Sequence, residues 1–315
     1  MNAVGTKYEL PPDKASALHR AKRLEWATIG CLATIVPLMG IVMGSSETMK
    51  AMWVEDLLSL VPSLSFLAGV HFRSKPPDET FPYGYRRAVL VGFMCGAVAL
   101  SGFGLYIAFD AVMKLVKGEH PSIPTAQIFG MHIWMGWIMI AVLIYSVIPP
   151  MVLGRMKKPL ASDLHDKALY VSATLDKGDW LSGLAGVAGI TGIAFGWWWA
   201  DSVAAAFIST EIIKDGYENL RNSIAQLMDK RPSDVEDKEK DPVVDELQNA
   251  LERLAWVERA RVRLREHGDM LIGEAFVQPR DDGDLLERLD EARAAATSVD
   301  WRLHDINVVP VRSLE

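Results

Sequence analysis

Residues 51–87 read AMWVEDLLSLVPSLSFLAGVHFRSKPPDETFPYGYRR, and the reading of the whole chain turns on them. The stretch opens as an apolar helix candidate and closes in a polar loop with three prolines, two acids and an Arg pair. Glu55 and Asp56 stand side by side in the apolar part. An ionisable side chain inside a bilayer is costly, and where it is kept it marks an ion or substrate path. The adjacent carboxylates therefore read as part of a metal-ion site. The plainer reading is that they cap the helix start or sit at headgroup level.

Working outward, the chain has 315 residues, 50% hydrophobic and 23% charged, which is too apolar for a soluble protein and too charged for a wholly embedded one. The two halves account for this. From Met228 to the end there are 22 acids against 14 Lys and Arg, whereas the whole chain carries −7. A near-neutral membrane part followed by an acidic soluble domain fits that split. The acidity argues against a nucleic-acid partner, which needs a basic patch. Cys31 and Cys95 lie in apolar runs and suggest neither a disulfide framework nor a thiolate metal site.

Apolar segments fall at about 26–45, 51–72, 88–114, 129–153, 168–193 and 196–214, each close to the roughly 20 residues that span a bilayer. Lys and Arg crowd the first tail, the 73–87 loop and the 155–167 loop, so the positive-inside rule places both termini in the cytoplasm. Glycines at 183, 186, 189 and 192 predict close helix packing in the fifth segment. Pro62, Pro149 and Pro150 are expected to kink or end their helices. The Trp run 197–199 reads as an interfacial belt.

The domain layout expected is a tail over 1–25, a six-helix transport domain over 26–230, a charged linker over 231–241 and a small domain over 242–315. In the last, a helix (242–254), strands (256–266 and 270–278), a helix (283–297) and a strand (301–311) follow from period switches. The N-terminus shows no signal peptide pattern. An α-helical membrane domain of six transmembrane helices plus an α+β domain is the fold class predicted.

The loop Pro76-Pro77-Asp78-Glu79, followed after Thr80 by Phe81-Pro82-Tyr83-Gly84-Tyr85-Arg86-Arg87, resembles the connection between the second and third helices of the cation diffusion facilitator family. That family reads PPD-x-x-HPYGH there. Gly44-Ser45 through Leu60 loosely resembles its second-helix opening, and the similarity runs on through Asp201 to Asp229. The resemblance implies a ferredoxin-like cytoplasmic domain, a homodimer, export of divalent cations and exchange for protons.

It also implies a ligand set. The family places a carboxylate or His pair at i, i+4 in the second helix, and Glu55 and Ser59 fall there; Asp56 takes the first place if the alignment slips by one. The fifth helix of the family carries His-x-x-x-Asp. Asp179 matches the Asp, Leu175 stands at the His, and Asp176 is the available substitute, with Lys177 beside it. Depth is compatible: at 1.5 Å per residue Ser59 lies about 21 Å from Arg73 and Asp179 about 18 Å from Lys167. Ser59 is a neutral oxygen where the family has a carboxylate. In the inner loop, Phe81 and Tyr85 replace residues that are often His.

An all-oxygen set favours Mn²⁺, Fe²⁺, Co²⁺ or Mg²⁺ over Zn²⁺. Buried carboxylates also take up protons near neutral pH, the minimum chemistry for exchange. The expectation is a multi-pass bacterial inner-membrane exporter of divalent cations, whose partners are cations, protons and the lipid bilayer. It needs no cofactor. No phosphate loop, dinucleotide fingerprint or nucleophile elbow points to an enzyme. The alternative is a transport-inactive relative serving as scaffold or sensor.

Overall fold

The computed structural model describes residues 10–314 except 74, 76, 121–122, 129–130 and 282, and the side chains of 126–128, 131 and 176–179 fall outside it as well. The chain divides into two compact units, one formed by 19–162 and 167–224, the other by the N-terminal residues to 18, 163–166 and 225–315.

The first unit is helical. Its elements are α1 (Pro12–Val42, continuing from the other unit), α2 (Glu47–Leu58), α3 (Leu60–Arg73) and α4 (Ala88–Lys117). A short hairpin follows, β1 (Thr125–Ile128) and β2 (Met131–Trp134), and then α5 (Met135–Leu164), α6 (Lys167–Ala194) and α7 (Ala200–Leu227). Among the described residues, four helical stretches are long and apolar enough to cross a membrane: 12–42, 47–73, 88–117 and 135–164. The expected fifth and sixth segments form α6 and α7, helices of 28 residues each.

The second stretch is one rod broken once. Pro62 has no N–H for the Leu58 carbonyl and its ring crowds it, so helical bonding stops at Leu58 and restarts at Leu60. Ser59 at the break donates its N–H (2.9 Å) and its hydroxyl (3.0 Å) to the Glu55 carbonyl. Pro149 and Pro150 behave differently: α5 runs on through them and through Pro159, so they do not end it. Membrane helices tolerate proline where neighbours satisfy the freed carbonyl.

The expected start of the fourth apolar segment at 129 is also displaced. Residues 131–134 are a strand, paired antiparallel with 125–128 in the register Thr125↔Trp134 and Gln127↔His132. The apolar residues Met131, Ile133 and Trp134 raise local hydropathy just as a helix would. At the ends bearing the N-terminal tail and the 155–167 stretch the helices outrun the apolar windows: α1 already begins at Pro12, and α5 continues to Leu164 across most of the basic stretch read as a loop.

The core of this unit joins Ile35, Met39, Met49, Met52, Leu143, Ile208 and Ile212. Small residues bring the backbones together, as expected of the fifth segment. A Cβ on Gly189 would lie 2.7 Å from the Ala204 Cβ, and one on Gly192 only 2.4 Å from that of Ala200. Gly216 of α7 meets Ser101 of α4 in the same way, at 2.4 Å from its hydroxyl. Outward, α4 exposes Val98, Phe103, Leu105, Tyr106, Phe109 and Val112, a surface suited to lipid rather than water. Trp197 and Trp199 stack at 6.0 Å beyond the end of α6 and are exposed.

The second unit is a small α+β layer: α8 (Val243–Glu252), β3 (Val257–His267), β4 (Met270–Pro279), α9 (Leu285–Val299) and β5 (Leu303–Pro310). The sheet order is β3-β4-β5, with β3 and β4 antiparallel and β4 and β5 parallel. The hairpin turns at Gly268, whose φ of 68° suits a residue without Cβ. The parallel pair needs a crossover, which α9 supplies. Leu247, Leu251, Val257, Leu264, Val277 and Ile306 fill the core.

Arg302, at the start of β5, binds Asp241 through both amino groups at 2.6 and 3.3 Å and Asp300 at 2.9 Å. In the same unit Lys14 pairs with Asp163 at 2.5 Å. His165 is held below its usual pKa, first by burial and then by the nearby Arg302 charge.

Candidate metal centre

The site is built on α2, whose start is fixed by hydrogen bonds. Ser46 caps it, accepting from the Met49 N–H at 3.2 Å. The buried Asp201 carboxylate of α7 accepts from the Ser46 hydroxyl (2.6 Å), the Glu47 N–H (2.7 Å) and the Thr48 N–H (3.2 Å). A carboxylate at a helix N-terminus satisfies orphan amides and suits the helix dipole. This joins α7 to α2 one end away from the break at Ser59.

Glu47 is itself buried and pairs with Lys50 at 2.7 Å and with Lys114 of α4, which also lies 3.4 Å from Asp110. Lys50 and Lys114 are thus part of one paired network with Glu47 and Asp110.

Two turns along α2 stands Glu55. Its Oε1 accepts a hydrogen bond from the Ser182 hydroxyl of α6 at 3.0 Å. Its Oε2 is buried and has no hydrogen-bond partner among the described residues. Asp56 is 2% exposed. Ser59 is also buried, its hydroxyl proton given to the Glu55 carbonyl, so its remaining lone pairs are what it can offer a cation.

Asp176 and Asp179 lie on α6, and their side chains are outside the described residues. The backbone around them is placed by two contacts. Ser182 reaches Glu55 on α2, and Ser172 lies 3.3 Å from Ser63 on α3, hydroxyl to hydroxyl. The α6 segment bearing Asp176 and Asp179 runs between those contacts, alongside the Glu55–Ser63 stretch. Among the described residues, no three His, Cys, Asp or Glu side chains form a metal cluster.

Below this level sits a group the sequence reading missed. Lys157 of α5 and Glu25 of α1 are both 0% exposed and pair at 3.1 Å. Lys157 also donates to the Ser172 hydroxyl at 2.9 Å, and Ser172 lies 3.3 Å from the same Glu25 oxygen. Counted as tail and loop charges, these residues carried no pairing signal. The usable clue was that each lies within a helical turn or so of an apolar window.

The 77–87 loop is held by its own hydrogen bonds. Asp78 accepts from the Thr80 N–H (3.0 Å), the Phe81 N–H (2.8 Å) and the Tyr85 hydroxyl. The Tyr85 bond and then the Phe81 amide hold its carboxyl below the usual range. Phe81 and Tyr85, standing where the resembling family often has His, pack against each other at 4.7 Å.

Residues 26–228 match the family described as the cation efflux transmembrane domain. The chain belongs to this family, the cation diffusion facilitators. It is similar to the manganese efflux system protein MneP of Bacillus subtilis, 26% identical over 296 residues that cover 90% of this chain and 93% of the relative. It is also similar to MneS of the same organism, a manganese efflux system protein, 23% identical across 78% of this chain and 79% of that one. A cadmium, cobalt and zinc/H(+)-K(+) antiporter of Bacillus velezensis is 25% identical over 58% of this chain and 54% of its own. The cation efflux assignment makes the helical unit an integral, multi-pass metal cation transport domain, and members of this family are transporters rather than enzymes.

Proposed function

We propose that this cation efflux protein exports divalent metal cations from the cytoplasm in exchange for protons, with Mn²⁺ the preferred cargo. The observation that carries the reading is Glu55: one carboxylate oxygen is bonded to α6, and the other is buried and has no partner among the described residues. An unpartnered buried carboxylate oxygen is costly unless a proton or cation completes it. Both are what an exchanger offers in turn.

In this reading Glu55, Asp56 and Ser59 of the second membrane helix and Asp176 and Asp179 of the fifth supply an oxygen-only shell. Carboxylate and hydroxyl oxygens suit hard dications such as Mn²⁺ and Mg²⁺ better than Zn²⁺. The manganese relatives point the same way. The protein is a homodimer in the bacterial inner membrane, with six transmembrane helices counting α6 and α7. Both termini, and the ferredoxin-like domain over 242–315, lie in the cytoplasm; the transport domain occupies 26–230.

The test is uptake by proteoliposomes with an acid interior. Mn²⁺ is expected to enter as protons leave, faster than Zn²⁺. If no divalent ion moves in response to the gradient, the reading fails.

A further inference from the structure

Glu55 lines a cavity of about 30 Å³. A water or small ion needs only about 10–15 Å³ of such space. Glu55 and Ser59 form one wall, Asp215 and Asn219 of α7 another, and Phe93 and Leu100 of α4 add apolar surface. Asp215 and Asn219 are four residues apart and share a face of α7. Neither side chain makes a hydrogen bond among the described residues.

The sequence reading assigned nothing to Asp215, which fell one residue past its sixth apolar segment. The structure holds it against α4 and the second helix. Gly216 allows α7 to lie on the backbone of α4, with a Cβ position 2.9 Å from the Ser101 nitrogen. Gly96 receives Val61 of α3 at 2.3 Å. Three helices are thus pulled in tightly around a space that nonetheless stays open, with oxygen-bearing side chains on two sides.

The buried, unpartnered Oε2 of Glu55 is the second observation. Two carboxylates, a carboxamide and a hydroxyl line a space for one ion, with no described lysine or arginine in its lining. A monovalent cation would leave net charge buried, whereas a dication balances the pair.

The geometry points to a cation-binding position between the second and sixth membrane helices, in which Asp215 and Asn219 hold a hard divalent cation together with Glu55. This rests on the export reading above and adds α7 to it: Glu55 is shared by the helix-two/helix-five shell and by this cavity. The ion thus has two adjoining places to sit.

The test is Mn²⁺ binding to the full-length protein in detergent, followed by calorimetry, beside Mn²⁺ uptake by vesicles. Asp215→Asn should weaken binding at least about tenfold, the effect of losing one charge-assisted contact. Asn219→Asp, which adds a carboxylate, should tighten it. Glu218→Gln removes the same charge from an exposed position on the same helix and should leave affinity unchanged. Wild-type affinity in both Asp215→Asn and Asn219→Asp overturns the position while leaving the export reading intact. An equal loss in Glu218→Gln also overturns it, because the effect would then be one of general charge. A wild-type protein that neither binds nor carries a dication sinks both readings.

Discussion

The Ser182 hydroxyl of α6 donates to Oε1 of Glu55 on α2 at 3.0 Å, joining two helices at the level where the cation ligands are expected. The bond orients a carboxylate whose other oxygen is unpartnered. A hydrogen bond to a charged group is worth about 1.5–3 kcal/mol. Ser182→Ala should therefore lower apparent Mn²⁺ affinity by about tenfold or more while leaving the maximal rate of uptake less changed. Concentration-dependent uptake in vesicles separates the two parameters, and an unaltered half-saturation would remove Ser182 from the site.

Ser59 and Asp179 are expected to differ sharply. The Ser59 hydroxyl is already committed to the Glu55 carbonyl, and it is neutral. Ser59→Ala should reduce uptake only a few-fold, as the loss of about 0.5–1.5 kcal/mol implies. Asp179→Ala should abolish it, because one charged ligand lost from a buried site leaves the others uncompensated. Uptake at matched expression, with dimerisation checked by size-exclusion chromatography, distinguishes them.

How far the sequence carried can be judged at particular residues. The strands and helices of the small domain were legible to within two residues, because apolar Ala260, Val262 and Leu264 alternate with charged residues ahead of the Gly268 turn and α8 and α9 show helical spacing. Glu55 was legible because a carboxylate in an apolar helix is conspicuous. Glu25 and Lys157 were not, since hydropathy marks only the part of a helix that touches lipid, and α1 and α5 extend beyond it. Asp201 was legible as part of a resemblance, but its bonding to Ser46, Glu47 and Thr48 depends on helices 150 residues apart in sequence meeting, and no local pattern encodes that.

The Glu25–Lys157 pair carries its own prediction. Both groups are fully buried and joined at 3.1 Å. Lys157→Met leaves the Glu25 charge stranded and should destabilise the protein by about 3–5 kcal/mol. Adding Glu25→Gln to it should recover most of that loss, since replacing a whole buried pair is close to neutral. Thermal unfolding of the two variants in detergent tests this, and a double variant no better than the single one would contradict it.

His165 is expected to make the small C-terminal unit sensitive to acid. Burial and Arg302 lower its pKa below the ordinary 6.5. In the window below that value the unfolded state binds the proton more readily than the folded state, so stability falls as pH falls. Thermal unfolding of the full-length protein should show this unit losing stability as pH drops below about 6.5. His165→Gln should flatten that slope; a slope that persists unchanged assigns it to other groups.

In the proposed exchange Glu55 alternates between a proton and a divalent cation. The most direct measurement is simultaneous recording of Mn²⁺ uptake and lumenal pH in vesicles with an acid interior, for the wild type and Glu55→Gln. The expected result is coupled Mn²⁺ entry and proton exit in the wild type, and neither flux in Glu55→Gln with the protein still folded. Undiminished coupled exchange in Glu55→Gln would contradict the account.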